Sequence, residues 1–244
     1  MMPNLALGRT CFSRQRCPGD SSIRSSCATI SMQPATEALN WKPPLFYCLL
    51  SEVPSIVIRP YSPSWKADFS SLKEDLFRAM GPQARRIAHI GSTSVPGLGA
   101  KDIIDIQVGV DALNDDLVSS LVEAGYEFVA RHASDHVPQG DVSAPEGWKK
   151  LFFRGAPQKR ACHVHVRVIG SPNHRYALVF RDYLRVHEQA RLTVELIKRE
   201  LARLHGNDAD AYYAVKDPVY DLVWQAANDW SVRSGWSEER ASDD

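Results

Sequence analysis

One stretch of alternating residues constrains the fold more than any other part of this sequence. The segment from Ile103 to Val110 has isoleucine or valine at each even-numbered position. Because successive side chains of a strand point to opposite faces, this alternation predicts a β-strand that buries one face. Asp105 and Gln107 would lie on the other face. A carboxylate is costly in so apolar a strand, so Asp105 is expected to face solvent, a partner or a metal.

Strands and helices are interleaved along much of the chain. Short apolar runs predict further strands at 56–58, 87–90, 126–130, 151–154 and 162–168. Apolar residues at three- and four-residue steps predict helices over 65–80 and 114–124, and three more after the last strand. Ser64 is expected to cap the first helix, whose apolar stripe comprises Trp65, Phe69, Leu72, Leu76, Phe77 and Met80. This order of elements predicts an α/β (α+β) domain with a helical C-terminal part.

The composition changes near residue 55. Only Asp20 and Glu37 are acidic before residue 50, whereas arginine and serine are frequent there. Residues 1–55 are therefore expected to be a disordered extension or a transit-like segment. The expected location is cytoplasmic, and the arginine- and serine-rich N-terminus leaves a mitochondrial location open. Residues 56–232 are expected to form the folded domain, and residues 233–244 a polar tail.

Charge and apolar content exclude several classes of function. The 29 Lys and Arg balance the 29 Asp and Glu, so no global field attracts nucleic acid or an anionic membrane. No run of 18 apolar residues is present, so no membrane span is expected. Four of the five cysteines precede residue 50, which excludes a disulfide framework inside the domain. Any anion binding must be local, and the oligomeric state stays open.

The loop from Gly91 to Gly99 is the first candidate for binding chemistry. It follows a predicted strand and begins with Gly91, Ser92, Thr93 and Ser94. Free backbone N–H groups and three hydroxyls with little bulk suit phosphate oxygens. The alternative is a tight turn that merely connects two strands. The loop does not match the order of glycines and lysine in a Walker A motif.

Asp105 and two histidines form the second candidate site. Metal-dependent nucleotidyl transfer usually takes two carboxylates two residues apart on one strand, but the second position is Gln107. His163 and His165 share one face of a predicted strand, where they could hold a divalent ion, Mg²⁺ or Mn²⁺, together with Asp105. The alternative is two polar residues on an ordinary half-exposed strand. The proposal requires the two strands to lie side by side.

Four cationic residues of the predicted helices could contact phosphates. They are Arg181, Arg185, Lys198 and Lys216, of which Arg181 and Lys216 are the preferred candidates. The alternative is that they belong to solvated helix faces.

Several motifs together resemble the GrpB family. They are Ile58-Arg59-Pro60-Tyr61 with Trp65, His89 to Leu98, Lys101 to Ile106, His163 to Val166, Phe180 to Arg185, and Lys216. The resemblance covers about 175 residues. The pairing of Gly-Ser-Thr-Ser-Val-Pro-Gly-Leu with Ile-Ile-Asp-Ile is its most specific part.

The resemblance implies a nucleotidyltransferase-like fold, in which a mixed sheet carries flanking helices. Gly91-Ser92 would take the place of that superfamily's Gly-Ser turn, Asp105 would be the first metal-binding carboxylate, and Lys101 would join the phosphate-binding residues. Two departures weaken an inference of catalysis. Asp102 stands where the family commonly has proline, and Gln107 where an active nucleotidyltransferase has its second acid.

Two classes of function fit these residues. The first is an enzyme that binds a nucleotide or similar phosphorylated molecule with a divalent metal and transfers a nucleotidyl group. The second is a non-catalytic protein on the same fold, which binds a nucleotide or a coenzyme A-like ligand or serves as an accessory protein. The family also occurs fused behind dephospho-CoA kinase, but this chain lacks a P-loop, so that kinase activity is not expected.

Overall fold

A computed structural model describes residues 55–240 of the chain. Within this range a five-stranded mixed sheet has the order β1-β2-β5-β4-β3. Its strands are β1 (Arg86–Ile90), β2 (Ile104–Val110), β3 (Glu127–Phe128), β4 (Leu151–Arg154) and β5 (Cys162–Val168). The helices are α1 (Ser64–Met80), α2 (Asp115–Glu123), α3 (Pro172–Val186), α4 (Glu188–His205) and α5 (Ala209–Arg233). The predicted α+β class with a helical C-terminal part is confirmed.

Strand β2, the second strand of the sheet, has one fully buried apolar face. Its even-numbered side chains are buried with those of α1 and α2 in one apolar cluster. A second cluster joins α3, α4 and α5 with Val95 and Leu98 of the loop after β1. β2 pairs antiparallel with β1 and parallel with β5. The odd-numbered face of β2 is therefore left for polar side chains, as the alternation predicts.

Helix α1 differs from the prediction in its first residue and in the exposure of Phe77. Ser64 is the first helical residue, and Pro63 is at the cap position instead. The backbone N–H of Ser64 donates to Ser62 Oγ at 3.3 Å. Phe77 is 59% exposed, because the stripe at 65, 69, 72, 76 and 80 already covers the sheet. The predicted strand at 56–58 is also wrong. Arg59 forms an isolated bridge with Ala100 instead, so no ladder extends there in the described residues.

The predicted boundaries of the domain, at residues 56 and 232, stay predictions. The proposed N-terminal segment lies outside the described residues except for residue 55. At the other end, Trp236 Nε1 donates to Asp182 Oδ2 at 2.9 Å, so the chain still contacts α3 beyond residue 233. In the part from 55 to 240, no helix combines the length and apolar character that crossing a membrane requires.

Candidate functional site

The turn after β1 presents two of its four candidate residues to a cleft. Gly91 has a φ of 68°, a conformation that glycine adopts readily, and Ser92 to Ser94 then form a single 3-10 turn. Ser94 Oγ donates to Gly91 O at 2.6 Å, and Thr93 Oγ1 lies 3.0 Å from His89 Nε2. Thr93 and Ser94 are buried, whereas Gly91 and Ser92 remain accessible. Phosphate binding by the four residues stays a prediction, and the geometry favours the first two.

The strand register brings Asp105 and both histidines together. Asp105 is the direct neighbour of His163 across the parallel pair β2 and β5, and Gln107 is the neighbour of His165. Asp105 Oδ1 lies 3.2 Å from His163 Nδ1 and 4.0 Å from His165 Nε2. Burial raises the pKa of Asp105, but the hydrogen bond and charge of His163 outweigh it and lower that pKa to about 2. The carboxylate is therefore ionised at neutral pH.

Hydrogen-bond partners determine where each imidazole carries its proton. The Asp105 carboxylate only accepts, so His163 Nδ1 donates to it and the lone pair of neutral His163 is on Nε2. His165 Nδ1 lies 3.2 Å from Lys150 Nζ and 3.3 Å from Arg167 Nη2, which only donate. Burial also lowers the pKa of His165 well below its ordinary value. His165 is therefore neutral, with its proton on Nε2.

This proton arrangement does not fit a metal shared by all three side chains. The lone pair of His165 already accepts from Lys150 and Arg167, so it is directed away from Asp105. Asp105 and Nε2 of His163 retain the electron pairs that a divalent ion needs. Among residues 55–240 no group of three or more His, Cys, Asp or Glu side chains has a metal-binding arrangement. The three-residue metal site stays a prediction that would require His165 to reorient.

Gln107 replaces the second acid for a reason visible in its contacts. It is only 1% exposed, and its Oε1 accepts from Arg167 Nη1 at 2.6 Å. Its Nε2 donates to the backbone oxygen of His174 at 3.2 Å. The amide thus pairs with one donor and one acceptor inside the protein, which a carboxylate could not do. This position supports the fold instead of facing the cleft.

Asp135 is a half-buried carboxylate at the site that sequence reasoning missed. It lies between β3 and β4 and accepts from Lys150 Nζ at 2.6 Å, Arg167 Nε at 2.8 Å and Asn173 Nδ2 at 3.0 Å. Burial raises its pKa, but the charge of Arg167 holds that pKa well below its usual range. The surrounding polar loop has no periodicity, so no sequence signal distinguishes Asp135 from its solvated neighbours.

Four lysines, Lys101, Lys150, Lys198 and Lys216, line a cavity of about 630 Å³ beside Ser92 and Asp105. Lys101 Nζ donates to Tyr213 Oη at 2.6 Å, and Lys216 Nζ lies 3.7 Å from the centre of the Tyr220 ring. Lys198, which is buried, donates to Gly99 O at 2.6 Å. Burial lowers the pKa of Lys198 to about 7, and the nearby charge of Lys216 acts in the same direction. Lysines that repel each other in this way favour an anionic ligand.

Arg181 lines a second cavity, of about 260 Å³, with Trp148. Arg181 Nε donates to Asp182 Oδ1 at 2.7 Å and Nη1 to His89 O at 2.9 Å. Its Nη2 and Trp148 Nε1 are buried without a hydrogen-bond partner in the part of the chain that the structure describes. A buried unsatisfied group usually costs ~1–3 kcal/mol, so two such groups on residues that line the same cavity require an explanation.

Asp102, the other departure from the family pattern, has a structural role. Its Oδ1 accepts from Trp65 Nε1 at 2.8 Å and from the guanidinium of Arg160. Arg160 also donates from Nε to Asp68 Oδ2 at 2.8 Å, so Asp102 and Asp68 share one cation. These contacts connect the loop before β2 to α1 and to the loop before β5. A proline could not supply them.

The strand order and the turn agree with the nucleotidyltransferase-like fold that the resemblance implies. β1 ends directly before Gly91-Ser92, β2 with Asp105 pairs antiparallel with β1, and β5 pairs parallel with β2. A family model described as GrpB protein matches residues 55–225. The chain belongs to the GrpB family, which confirms the resemblance inferred from its motifs.

One curated relative and one solved structure of the family agree with this assignment. UPF0157 protein PA4798 of Pseudomonas aeruginosa is 36% identical over 170 residues, which are 67% of this chain and 64% of that protein. The crystal structure of conserved protein GrpB from Enterococcus faecalis superposes with a TM-score of 0.56 at 28% identity and covers 71% of this chain and 99% of that one. Cid1 in complex with its short product ApU gives a TM-score of 0.38 at 18% identity, over 60% of this chain and 43% of that one.

One group of relatives is much longer than this chain. A protein of Mycolicibacterium paratuberculosis named dephospho-CoA kinase is 35% identical over 192 residues, which are 72% of this chain and 47% of that protein. The chain therefore spans about half the length of these curated relatives. The kinase name belongs to those longer proteins.

Proposed function

We propose that this protein binds a nucleotide or a similarly phosphorylated molecule in the lysine-lined cavity. The observation that carries the proposal is that Ser92, Asp105, Lys101 and Lys216 line one cavity. Backbone N–H groups and the hydroxyl at the Gly91-Ser92 turn suit phosphate oxygens, and the lysines supply opposite charge. Lys101 and Lys216 are two of the residues that the sequence singled out for this role.

A divalent ion, Mg²⁺ or Mn²⁺, would fit with fewer protein ligands than the sequence suggests. Asp105 would hold it, and His163 would orient the carboxylate through its Nδ1–H, because the Nε2 lone pair of His163 points away from Asp105. Such an ion would neutralise charge on the phosphates. Because Gln107 is paired within the protein, a single ion is proposed here rather than a pair.

Ligand binding is tested by thermal unfolding and calorimetry with nucleoside triphosphates and coenzyme A precursors. A ligand at 100 times its Kd should add about 2.7 kcal/mol to the free energy of unfolding. We expect a rise in melting temperature that is smaller with a chelator than with Mg²⁺ or Mn²⁺. Lys216→Gln should weaken binding about tenfold, since it removes a charge-assisted contact.

Lys159→Gln is the matched control, because Lys159 is exposed and lies outside the cavity. Binding should then equal that of the wild type. No stabilisation by any phosphorylated compound would contradict the proposal. Equal loss of affinity in the two variants would indicate a diffuse charge effect rather than a site.

Nucleotidyl transfer is a second candidate function, favoured by the contact between Asp105 and His163. His163 Nδ1 donates a hydrogen bond to Asp105, so Nε2 is available as a base. An acceptor hydroxyl would lose its proton to Nε2 and form a bond to the α-phosphorus. The bond to the β-phosphate would break, and pyrophosphate would leave.

Pyrophosphate release from a nucleoside triphosphate measures this reaction directly. His163→Gln should lower the rate at least about a hundredfold, the usual contribution of a general base. The affinity of the His163→Gln variant for the nucleoside triphosphate, measured in the presence of a chelator, should change little. If the wild type releases no pyrophosphate while it binds nucleotide, non-catalytic binding is the better description.

A further inference from the structure

We propose that the smaller cavity, which Trp148 and Arg181 line, binds the nucleobase of the ligand whose phosphates lie in the lysine-lined cavity. This inference rests on the proposed function and adds the chemical class of the ligand's other end. The cavity lies between the turn at Gly91 and helices α3 and α5.

The two donors without partners define what the occupant must offer. Trp148 Nε1 and Arg181 Nη2 can donate but cannot accept, so the occupant must present acceptor atoms. Trp148 is 1% exposed, and two other nitrogens of Arg181 are already bound. Neither side chain can easily turn to reach bulk water. Carbonyl oxygens and ring nitrogens of a nucleobase meet this requirement.

The walls of the cavity favour a flat ring. Tyr176 and Phe180 are stacked with their centroids 5.6 Å apart, and Phe180 and Tyr220 are stacked at 5.0 Å. Such aromatic surfaces attract the faces of bases. The volume of about 260 Å³ is slightly below the ~300–1,000 Å³ of typical small-molecule sites. It therefore suits one part of a ligand rather than a whole nucleotide.

The charges of this cavity favour a neutral occupant over a second phosphate. Within the described range, three carboxylates and three cationic side chains line it, namely Asp105, Asp135, Asp217, Arg167, Arg181 and Lys216. The lining has no excess positive charge that would draw an additional anion. An aliphatic group would leave both donors unpaired.

The two cavities are adjacent, so one ligand could occupy both. Gly91, Ser92, Asp105, Lys216 and Tyr220 line each of them. A phosphate at Ser92 would thus lie at the boundary. The base would lie on one side of that boundary and the remaining phosphates on the other.

Calorimetry on the full chain tests the base site with two kinds of probe. The probes are the four common ribonucleoside triphosphates and inorganic tripolyphosphate, which lacks base and sugar. We expect the best nucleotide to bind at least about tenfold more tightly than tripolyphosphate, the effect of roughly one well-made hydrogen bond with stacking. Trp148→Phe keeps the ring and removes the donor. This substitution should lower the affinity for that nucleotide about tenfold and leave the affinity for tripolyphosphate unchanged.

Two further variants make the test independent of folding defects at Trp148. Trp230→Phe is the matched control, since Trp230 contacts Tyr183 and His187 and lies outside both cavities. Ala177→Leu fills the smaller cavity from α3. It should abolish the advantage of the nucleotide over tripolyphosphate, whereas Trp230→Phe should preserve it.

The outcomes separate this inference from the proposed function. Equal affinities for nucleotides and tripolyphosphate would overturn the base site while phosphate binding stands. A parallel loss of both affinities in Ala177→Leu would overturn it too. If neither kind of probe binds the wild type, the proposed function fails and the base site fails with it.

Discussion

Asp135→Ala is expected to lower the free energy of unfolding by about 3–5 kcal/mol, the usual cost of removing one partner from a buried ion pair. The substitution leaves two cations without their anion, because Lys150 and Arg167 both bind Asp135. Their side chains are 8% and 6% exposed, so water cannot easily replace the carboxylate. At ~2–4 °C per kcal/mol for a chain of this size, the melting temperature should fall by roughly 6–20 °C.

Chemical denaturation of wild type and variant measures this change. Asp111→Ala is the matched control, because Asp111 pairs with Arg85 at 3.6 Å through side chains that are 77% and 56% exposed. Exposed ion pairs contribute little to stability, so the control should behave as the wild type. Similar losses in the two variants would show that Asp135 does not organise the site.

The same ion pairs should govern acid unfolding. The pKa of Asp135 in the folded protein is well below its usual value, so its stabilisation is present above pH ~4 and is lost as the pH falls further. The stability difference between wild type and Asp135→Ala should therefore be constant from pH 8 to about 5 and shrink below pH ~4. A difference that grows on acidification would contradict this assignment.

Gly91→Ala should be the second most damaging change, and it should act on the site itself. Gly91 has a φ of 68°, and an added Cβ would lie 2.4 Å from Asp105 Oδ2 and 2.8 Å from Asp105 Cβ. Asp105 would have to turn, which would break its hydrogen bond with His163. We expect a loss of roughly 2–5 kcal/mol, from ~1–2 for the backbone conformation and ~1–3 for overpacking. Nucleotide affinity should fall at least about tenfold.

Gly125→Ala separates the two causes. Gly125 also has a positive φ, 91°, but nothing among the described residues lies within 4 Å of an added Cβ. It should show the backbone cost alone and normal nucleotide affinity. If Gly125→Ala and Gly91→Ala are equally destabilised and bind equally well, close packing against Asp105 has no functional role.

Local patterns in the sequence determined most of the sheet and the family. The predicted strands at 151–154 and 162–168 have the bounds of β4 and β5, because apolar alternation is a property of neighbouring residues. The same parity placed Asp105 on the face opposite the buried residues. Local patterns failed at Ser64 and at Phe77, where a neighbouring proline and the direction of the sheet decided the outcome.

The chemistry of the site depended on contacts between distant residues. Asp135 lies 32 positions from Arg167, and Gln107 lies 60 positions from the same side chain. The position of the proton on His163 follows from Asp105, which lies 58 positions away in the sequence. The sequence by itself determined the family, the principal strands and a short set of candidate residues. Only the tertiary structure decided which of them meet, which lone pairs remain available and which buried donors lack a partner, because those properties arise when chain segments far apart are packed together.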